Sequence, residues 1–243
     1  MATIISNPFW LTGDKTCKKQ WNDNLTGLGM TKLLPAVNGI VPMESKVDWN
    51  GDSSTYGWQR GEIKQVSPSA EDRYYSLKVT LKGFKFETKR NFLIAQWKPG
   101  DVYPTLSIWC RETSPGAYSW LLLRKCNSVN GGNVQNSNTK VYETALIPAS
   151  VEKEFAITLD VKKWSYEKDG VIDVYIGGVF FKTVTGPNMD KLLPGATVKQ
   201  NYRVGLYVFS NKKSVKPKYP VMIGNFTNVN VGSSKDSTLK QFL

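Results

Sequence analysis

Histidine is absent from this chain of 243 residues. Its absence excludes Ser-His-Asp and Cys-His nucleophilic catalysis and every histidine-ligated metal site. If the protein is an enzyme, its protons must therefore be transferred by tyrosine, lysine, aspartate, glutamate or cysteine. We expect neither a metal nor another cofactor.

Cysteine is scarce, with three residues, and no C-x-x-C spacing indicates a zinc site. Cys110 and Cys126 flank a predicted hairpin that turns at residues 114–116. Pairing about that turn places residue 110 opposite residue 120 and residue 126 opposite residue 104, so a disulfide between the two cysteines is not expected. We expect all three, including Cys17, to be free thiols.

Long apolar runs are also missing, and no segment approaches the length of a membrane span. The N-terminal residues lack the charged, apolar and small-residue order of a secretory signal. The localisation stays open, with an extracellular or virion-associated mature form among the possibilities.

Positive charge is in excess, because 32 lysines and arginines face 20 aspartates and glutamates, for a net charge of +12. Such an excess favours a polyanionic partner: nucleic acid, anionic lipid or acidic polysaccharide. The sequence shows neither a basic helical stripe nor a known nucleic-acid motif, so nucleic acid is not the favoured partner. A solvated basic surface without a specific partner is the alternative. We expect a monomer that binds an acidic polysaccharide.

Short alternating segments separated by turns predict a single all-β domain over residues 1–243, with a loop-rich part at 1–55 and a flexible tail at 232–243. The predicted strands are Tyr56–Val66, Tyr74–Phe86, Phe92–Lys98, Thr105–Arg111, Tyr118–Cys126, Lys140–Leu146, Glu154–Leu159, Val171–Val184, Tyr202–Ser210 and Val221–Val231. Residues 189–193 could form one helical turn. This number of antiparallel strands indicates two stacked sheets in a jelly-roll sandwich.

The strand at 202–207 suggests a functional site. Alternation turns Tyr202, Val204 and Leu206 toward a core. The other face carries the polar side chains of Asn201, Arg203 and Tyr207, with a gap at Gly205. The glycine either lets a ligand approach the backbone or marks a bulge.

Other predicted strands offer further polar side chains. Gln96 and Lys98 share one face of their strand, while Leu93, Ala95 and Trp97 are predicted on the other. Together the strands offer Arg60, Glu62, Gln96, Lys98, Ser107, Trp109, Arg111, Arg203 and Tyr207. If these faces belong to one sheet, they form a basic groove in which Trp109 stacks on a sugar. If the strands divide between two sheets, the residues never meet.

Four segments in this order resemble the jelly-roll polysaccharide lyases, in particular the heparin-lyase-I-like group and its glucuronan- and alginate-lyase relatives. They are Arg60-Gly61-Glu62, Ile94-Ala95-Gln96-Trp97, the ITLDVKKWSYEKDGVIDVYIGGVFF segment and residues 202–207. The third segment is common to concanavalin A-like sandwiches and supports the fold alone. The resemblance covers roughly residues 56–231.

The resemblance implies β-elimination on an anionic polysaccharide of the glucuronan, alginate or glycosaminoglycan type. Gln96 and Arg203 would neutralise the uronate carboxylate, with Arg60 or Arg111 assisting, and Tyr207 would act as base, acid or both. Because a phenol has an ordinary pKa of about 10 and nearby cations favour the phenolate, an alkaline optimum is expected. The substrate-binding set would comprise Arg60, Glu62, Ser107, Trp109, Arg111, Asn201 and Tyr202.

Lys98 departs from the family pattern, in which histidine usually follows Gln-Trp. A lysine could serve as the base or grip a carboxylate. The departure also favours an alternative, a non-catalytic carbohydrate-binding or cell-surface attachment protein on the same fold. A nucleic-acid-binding β protein is a third reading.

Overall fold

The computed structural model describes residues 30–35, 42–48, 58–65, 70, 73–82, 91–98, 104–127, 139–151, 153–191, 197–209 and 221–232. Cys17 and residues 192–193 of the predicted helical turn lie outside them, and residues 189–191 of that turn are irregular rather than helical. Within the described part of the chain the regular structure is entirely β. No described helix has the length and hydropathy of a membrane span.

Thirteen strands are described: the first two lie in the part predicted to be loop-rich, and the others follow the predicted segments. They are β1 (Met30–Leu33), β2 (Met43–Asp48), β3 (Trp58–Lys64), β4 (Tyr74–Lys82), β5 (Asn91–Lys98), β6 (Leu106–Ser114), β7 (Ala117–Asn127), β8 (Thr139–Pro148), β9 (Phe155–Lys163), β10 (Val171–Ile176), β11 (Val179–Thr185), β12 (Asn201–Phe209) and β13 (Val221–Gly232). The predicted strand 171–184 is a hairpin of β10 and β11, as its two central glycines indicate.

The strands form two antiparallel sheets. One has seven strands in the order β1-β2-β13-β4-β9-β10-β11, and the other has six in the order β3-β12-β5-β6-β7-β8. Neighbours far apart in sequence, such as β3 and β12, therefore lie side by side. All the strands that were predicted to carry the polar side chains, β3, β5, β6 and β12, belong to the six-stranded sheet. They are therefore not divided between two sheets.

Aromatic side chains join the two sheets across a buried core. Trp120 of β7 stacks on Phe155 of β9 with ring centroids 4.3 Å apart. Trp97 of β5 stacks on Tyr202 of β12 at 4.7 Å, and Tyr75 of β4 meets the Trp97 ring edge-on at 5.5 Å. These large, fully buried rings fix the face of each strand, because a slip of one residue would turn them to the other side of the sheet.

The β6–β7 hairpin has the predicted register, with Cys110 opposite Trp120. Cys110 and Cys126 are buried free thiols, as expected. Burial raises the pKa of the Cys110 thiol well above its ordinary value and that of Cys126 to about 12. Both groups therefore remain protonated at neutral pH and are poor nucleophiles.

Candidate functional site

One face of the six-stranded sheet carries almost every polar residue singled out from the sequence. Directly opposed residues of neighbouring strands share a face, and the register places Arg203 opposite Gln96 and Gln96 opposite Ser107. We call this side, which is turned away from the core, the site face. Its members include Glu62, Leu93, Gln96, Lys98, Ser107, Trp109, Arg111, Leu121, Leu123, Lys125, Asn201, Arg203 and Tyr207.

Three polar side chains form the central row of the site face. Arg203, Gln96 and Ser107 lie on the consecutive strands β12, β5 and β6 and are only 3%, 2% and 1% exposed. Arginine is seldom buried to this degree unless it is paired. A guanidinium beside an amide in such a place is suited to holding a carboxylate, because the attraction strengthens as water is excluded.

Glu62 connects β3 to this row. The Gln96 amide Nε2 donates a hydrogen bond of 2.6 Å to Glu62 Oε1 across β12. Gly205 of β12 lies directly opposite Glu62, and its lack of a side chain leaves room for this bond. The bond fixes which end of the Gln96 amide is the donor. Arg60 lies opposite Tyr207 in the backbone register, and its side chain falls outside the described part of the structure.

Gly205 sits at a β-bulge, which confirms the second interpretation of this glycine. The pairing of β12 with β5 shifts between Val204 and Tyr207, and Gly205 has a φ of +140°. A Cβ at this position would lie 1.9 Å from the carbonyl oxygen of Gly61. Only glycine fits here, and the reason is the neighbouring strand rather than a ligand.

A serine from the other sheet satisfies the polar groups at this bulge. The Leu206 amide donates a 3.0 Å hydrogen bond to Ser45 Oγ, which in turn donates to the Gly61 carbonyl at 2.5 Å. Ser45 is fully buried on β2. The buried hydroxyl thus ties β12 and β3 to the seven-stranded sheet beneath the site face.

A second bulge changes the face of Leu93. The sequence predicted Leu93 on the core side with Ala95 and Trp97, but the pairing of β5 with β6 shifts between Leu93 and Ala95. The extra residue turns Leu93 to the site face, opposite Trp109 and Tyr207. The prediction that Leu93 lies on the core side is wrong, because strict alternation does not account for an inserted residue.

Trp109 lies against its own strand. Its indole Nε1 donates a 2.7 Å hydrogen bond to Ser107 Oγ. Leu93 and the similarly buried Leu121 are its cross-strand neighbours. The ring is half-buried and belongs to an apolar strip beside the central row.

Tyr207, Lys98 and Asn201 occupy less buried positions on the same face. Asn201 Nδ2 contacts the Gln65 carbonyl at 3.5 Å, and Asn201 lies opposite Lys98. Tyr207 is half-buried at the other side of the bulge, four residues from Arg203. The fold therefore brings a phenol, a guanidinium and an amide onto one surface.

Tyr202 does not belong to this surface. Its ring is 1% exposed in the core between Trp97 and Tyr75, and its hydroxyl donates to the Ser76 carbonyl at 3.4 Å. Burial raises its pKa well above the ordinary value. The assignment of Tyr202 to substrate binding is therefore wrong, and its position is the one that strand alternation predicted.

Arg111 lies further along β6 and pairs with Glu143 of β8. Lys125 of β7, which the sequence reasoning missed, lies on the same face, opposite Thr105, which directly precedes β6. Burial lowers the pKa of the Lys125 ammonium, and the charge of Arg111 lowers it further. The alternation of Leu121, Leu123 and Lys125 opposite the polar face of β6 was the signal that could have found it.

No metal-binding arrangement was found in the described residues: none of them form a group of three or more cysteines, aspartates and glutamates placed to hold an ion. The described side chains of the site face that can transfer protons include those of Tyr207, Lys98, Lys125 and Glu62.

The chain is similar to an endo-β-1,4-glucuronan lyase from the fungus Trichoderma reesei, with a TM-score of 0.64 and 13% identity over 90% of this chain and 91% of the other. An alginate lyase from Alteromonas sp. 272 has a TM-score of 0.48 and 13% identity, with 83% of this chain and 93% of the other covered. The binding domain of botulinum neurotoxin DC has a TM-score of 0.48 and 14% identity, with 90% of this chain and 46% of the other covered.

The first of these likenesses shows the fold. Neither a protein-family model nor a curated protein sequence matches the chain. The prediction of an all-β antiparallel sandwich of the jelly-roll type is confirmed, and the sandwich is one that a polysaccharide lyase also has.

Proposed function

We propose that the protein is a polysaccharide lyase that cleaves an anionic, uronate-containing polysaccharide of the glucuronan, alginate or glycosaminoglycan type by β-elimination. The observation that carries the proposal is the buried pair of Arg203 and Gln96 on the same face as Tyr207. The likeness of the sandwich to a glucuronan lyase supports it at the level of the fold.

Arg203 and Gln96 are assigned to the uronate carboxylate. When the guanidinium and the amide neutralise that group, the adjacent C5–H becomes acidic, and the negative charge that develops on proton removal is stabilised. The Gln96 amide retains a second N–H for the substrate, because Glu62 accepts only one. Glu62 is thus assigned to positioning Gln96 rather than to contact with the sugar.

Tyr207 is assigned to proton transfer, as base, acid or both. The C5 proton passes to the base, the C–H electrons form the new C4–C5 double bond, and the C4–O bond breaks with protonation of the leaving oxygen. Lys98, opposite Asn201 on the same face, is assigned to the substrate carboxylate or to a share in proton transfer. Arg60, Ser107, Trp109 and Asn201 complete the proposed substrate-binding set.

The experiment compares Tyr207→Phe with the wild type by the ultraviolet absorbance of the unsaturated product. Loss of Tyr207 Oη should reduce the rate about a hundredfold or more with thermal stability retained. The matched control is Tyr166→Phe, on the loop between β9 and β10, which should leave the rate unchanged. An active Tyr207→Phe protein would contradict the role assigned to this residue.

A second candidate function is a non-catalytic carbohydrate-binding or attachment protein. Lys98 favours it, since this position usually holds histidine in the family that the sequence resembles. Such a protein would bind uronate polymers through the same arginine and amide without forming an unsaturated product.

A further inference from the structure

On β7, the site face carries a lysine, Lys125, that the proposed chemistry does not use. Lys125 lies at the same level of the sheet as Lys98, with Thr105 between them. The Lys125 amide donates to the Thr105 carbonyl at 2.7 Å, and the Thr105 amide donates to the Trp97 carbonyl at 2.9 Å. Two strand spacings, about 10 Å in all, therefore separate the backbones of the two lysines.

Lys125 makes no ion pair with any other described residue, although its side chain is half-buried. The charge that acts on it is the like charge of Arg111, which lowers its pKa further. A partly desolvated ammonium without a counter-charge is unfavourable, and an anion bound beside it offsets that cost.

The surroundings of Lys125 suit an anion carried on a sugar. Leu121 and Leu123, both buried, lie beside it on the site face and lower the local dielectric. The partner of Arg111, Glu143, is partly exposed, and an exposed pair of this kind is worth only about 0–1 kcal/mol. A second carboxylate can therefore draw on Arg111 as well as Lys125.

We propose that Lys125, aided by the charge of Arg111, forms a second carboxylate-binding subsite for another uronate of the same polysaccharide chain. The polysaccharide then runs across the strands, from the Arg203 and Gln96 pair on β12 and β5 toward β7. This subsite rests on the substrate class of the proposed function, and it does not depend on whether the bound polymer is cleaved.

Calorimetric binding of glucuronan and alginate oligosaccharides to the full chain tests the subsite. Lys125→Met should weaken binding about tenfold, the effect of losing one charge-assisted contact, whereas Lys125→Arg should retain most of the affinity. The matched control is Lys140→Met, because Lys140 is exposed on β8 opposite Cys126, on the other face of the same sheet. Thermal unfolding of Lys125→Met should be unchanged or shifted upward, since the lost charge has no described partner.

Two results would overturn the subsite: wild-type affinity in Lys125→Met, or an equal loss in Lys140→Met, which would indicate attraction by net charge alone. The outcome is separate from that of the lyase proposal. Weakened oligosaccharide binding without any unsaturated product would support the subsite and refute the lyase. Product formation with unchanged binding in Lys125→Met would support the lyase and refute the subsite. Failure of the wild type to bind either oligosaccharide would overturn the subsite, whereas the lyase is overturned only if glycosaminoglycans also give no unsaturated product.

Discussion

Single residues define the chemistry proposed for the site face. Arg203 and Gln96 are buried side by side, and the hydrogen bond from Gln96 to Glu62 fixes the amide orientation. Their residue types and strand faces could be predicted from the sequence. The hydrogen bond from Gln96 to Glu62 could not be predicted. It crosses β12 near Gly205, whose lack of a side chain leaves space between β3 and β5.

Gln96→Glu tests the neutralisation of the uronate carboxylate. A carboxylate in place of the amide would repel the substrate and the negative charge that develops, and kcat should fall about 100- to 1,000-fold. Glu62→Gln is the companion variant: it keeps a hydrogen-bond acceptor for Gln96 and should reduce kcat far less. Product formation in steady state measures both, and equal losses in the two variants would contradict the assigned roles.

Gly205→Ala tests the explanation of the bulge. The added Cβ would meet the Gly61 carbonyl oxygen, and φ is unfavourable for alanine, so the free energy of unfolding should fall by about 2–5 kcal/mol. Gly116→Ala is the control, because its φ is +76° but nothing lies within 4 Å of the position that an added Cβ would take. Its loss should be limited to about 1 kcal/mol, the backbone term alone. Equal losses in urea unfolding would argue against the steric explanation.

At the scale of elements, alternation assigned most strand faces, and the turn at 114–116 gave the β6–β7 register. It failed at Leu93, where an inserted residue reverses the face. Lys125 was also missed, although alternation with Leu121 and Leu123 places it on the site face. The neighbourhood of β3, β12 and β5 could not be derived locally, because long crossover connections bring these strands together.

Ser45→Ala tests the link between β2 and the bulge in β12. It would leave the buried Leu206 amide without its acceptor, so the free energy of unfolding should fall by about 1–3 kcal/mol. Ser119→Ala is the control, since its hydroxyl contacts only the exposed Thr113 side chain at 3.4 Å among the described groups. A Ser45→Ala protein as stable as the wild type would show that the amide finds another partner.

Asp173 on β10 makes the stability of the seven-stranded sheet dependent on pH. Burial alone would raise its pKa, but Lys162 Nζ at 2.5 Å and Thr183 Oγ1 at 2.6 Å outweigh burial and lower it. A carboxyl with a lowered folded-state pKa contributes stability above its unfolded pKa of about 3.9 and loses it as the pH falls through the folded value. Asp173→Asn should therefore flatten the stability profile below about pH 5, measured by urea unfolding. If Asp173→Asn lost stability at acid pH as steeply as the wild type, the role given to Asp173 would be contradicted.

For the whole molecule, the net charge of +12 and the buried Arg203 of the site face both favour an anionic polymer. Composition predicted this preference, and the sandwich fold is shared with a glucuronan lyase. The single-domain organisation over residues 1–243 and the monomer stay predictions. The particular uronate polymer depends on how the surface is shaped around Arg203, which composition does not encode.

Lyase activity is tested by following the ultraviolet absorbance of unsaturated uronates with the wild-type protein, from neutral to alkaline pH. The substrates are glucuronan, alginate, heparin, heparan sulfate and hyaluronan, with a neutral glucan as control. We expect a rise with at least one uronate polymer, strongest at alkaline pH, and none with the neutral glucan. Binding to a uronate polymer without any rise at any pH would contradict the lyase and favour the attachment protein.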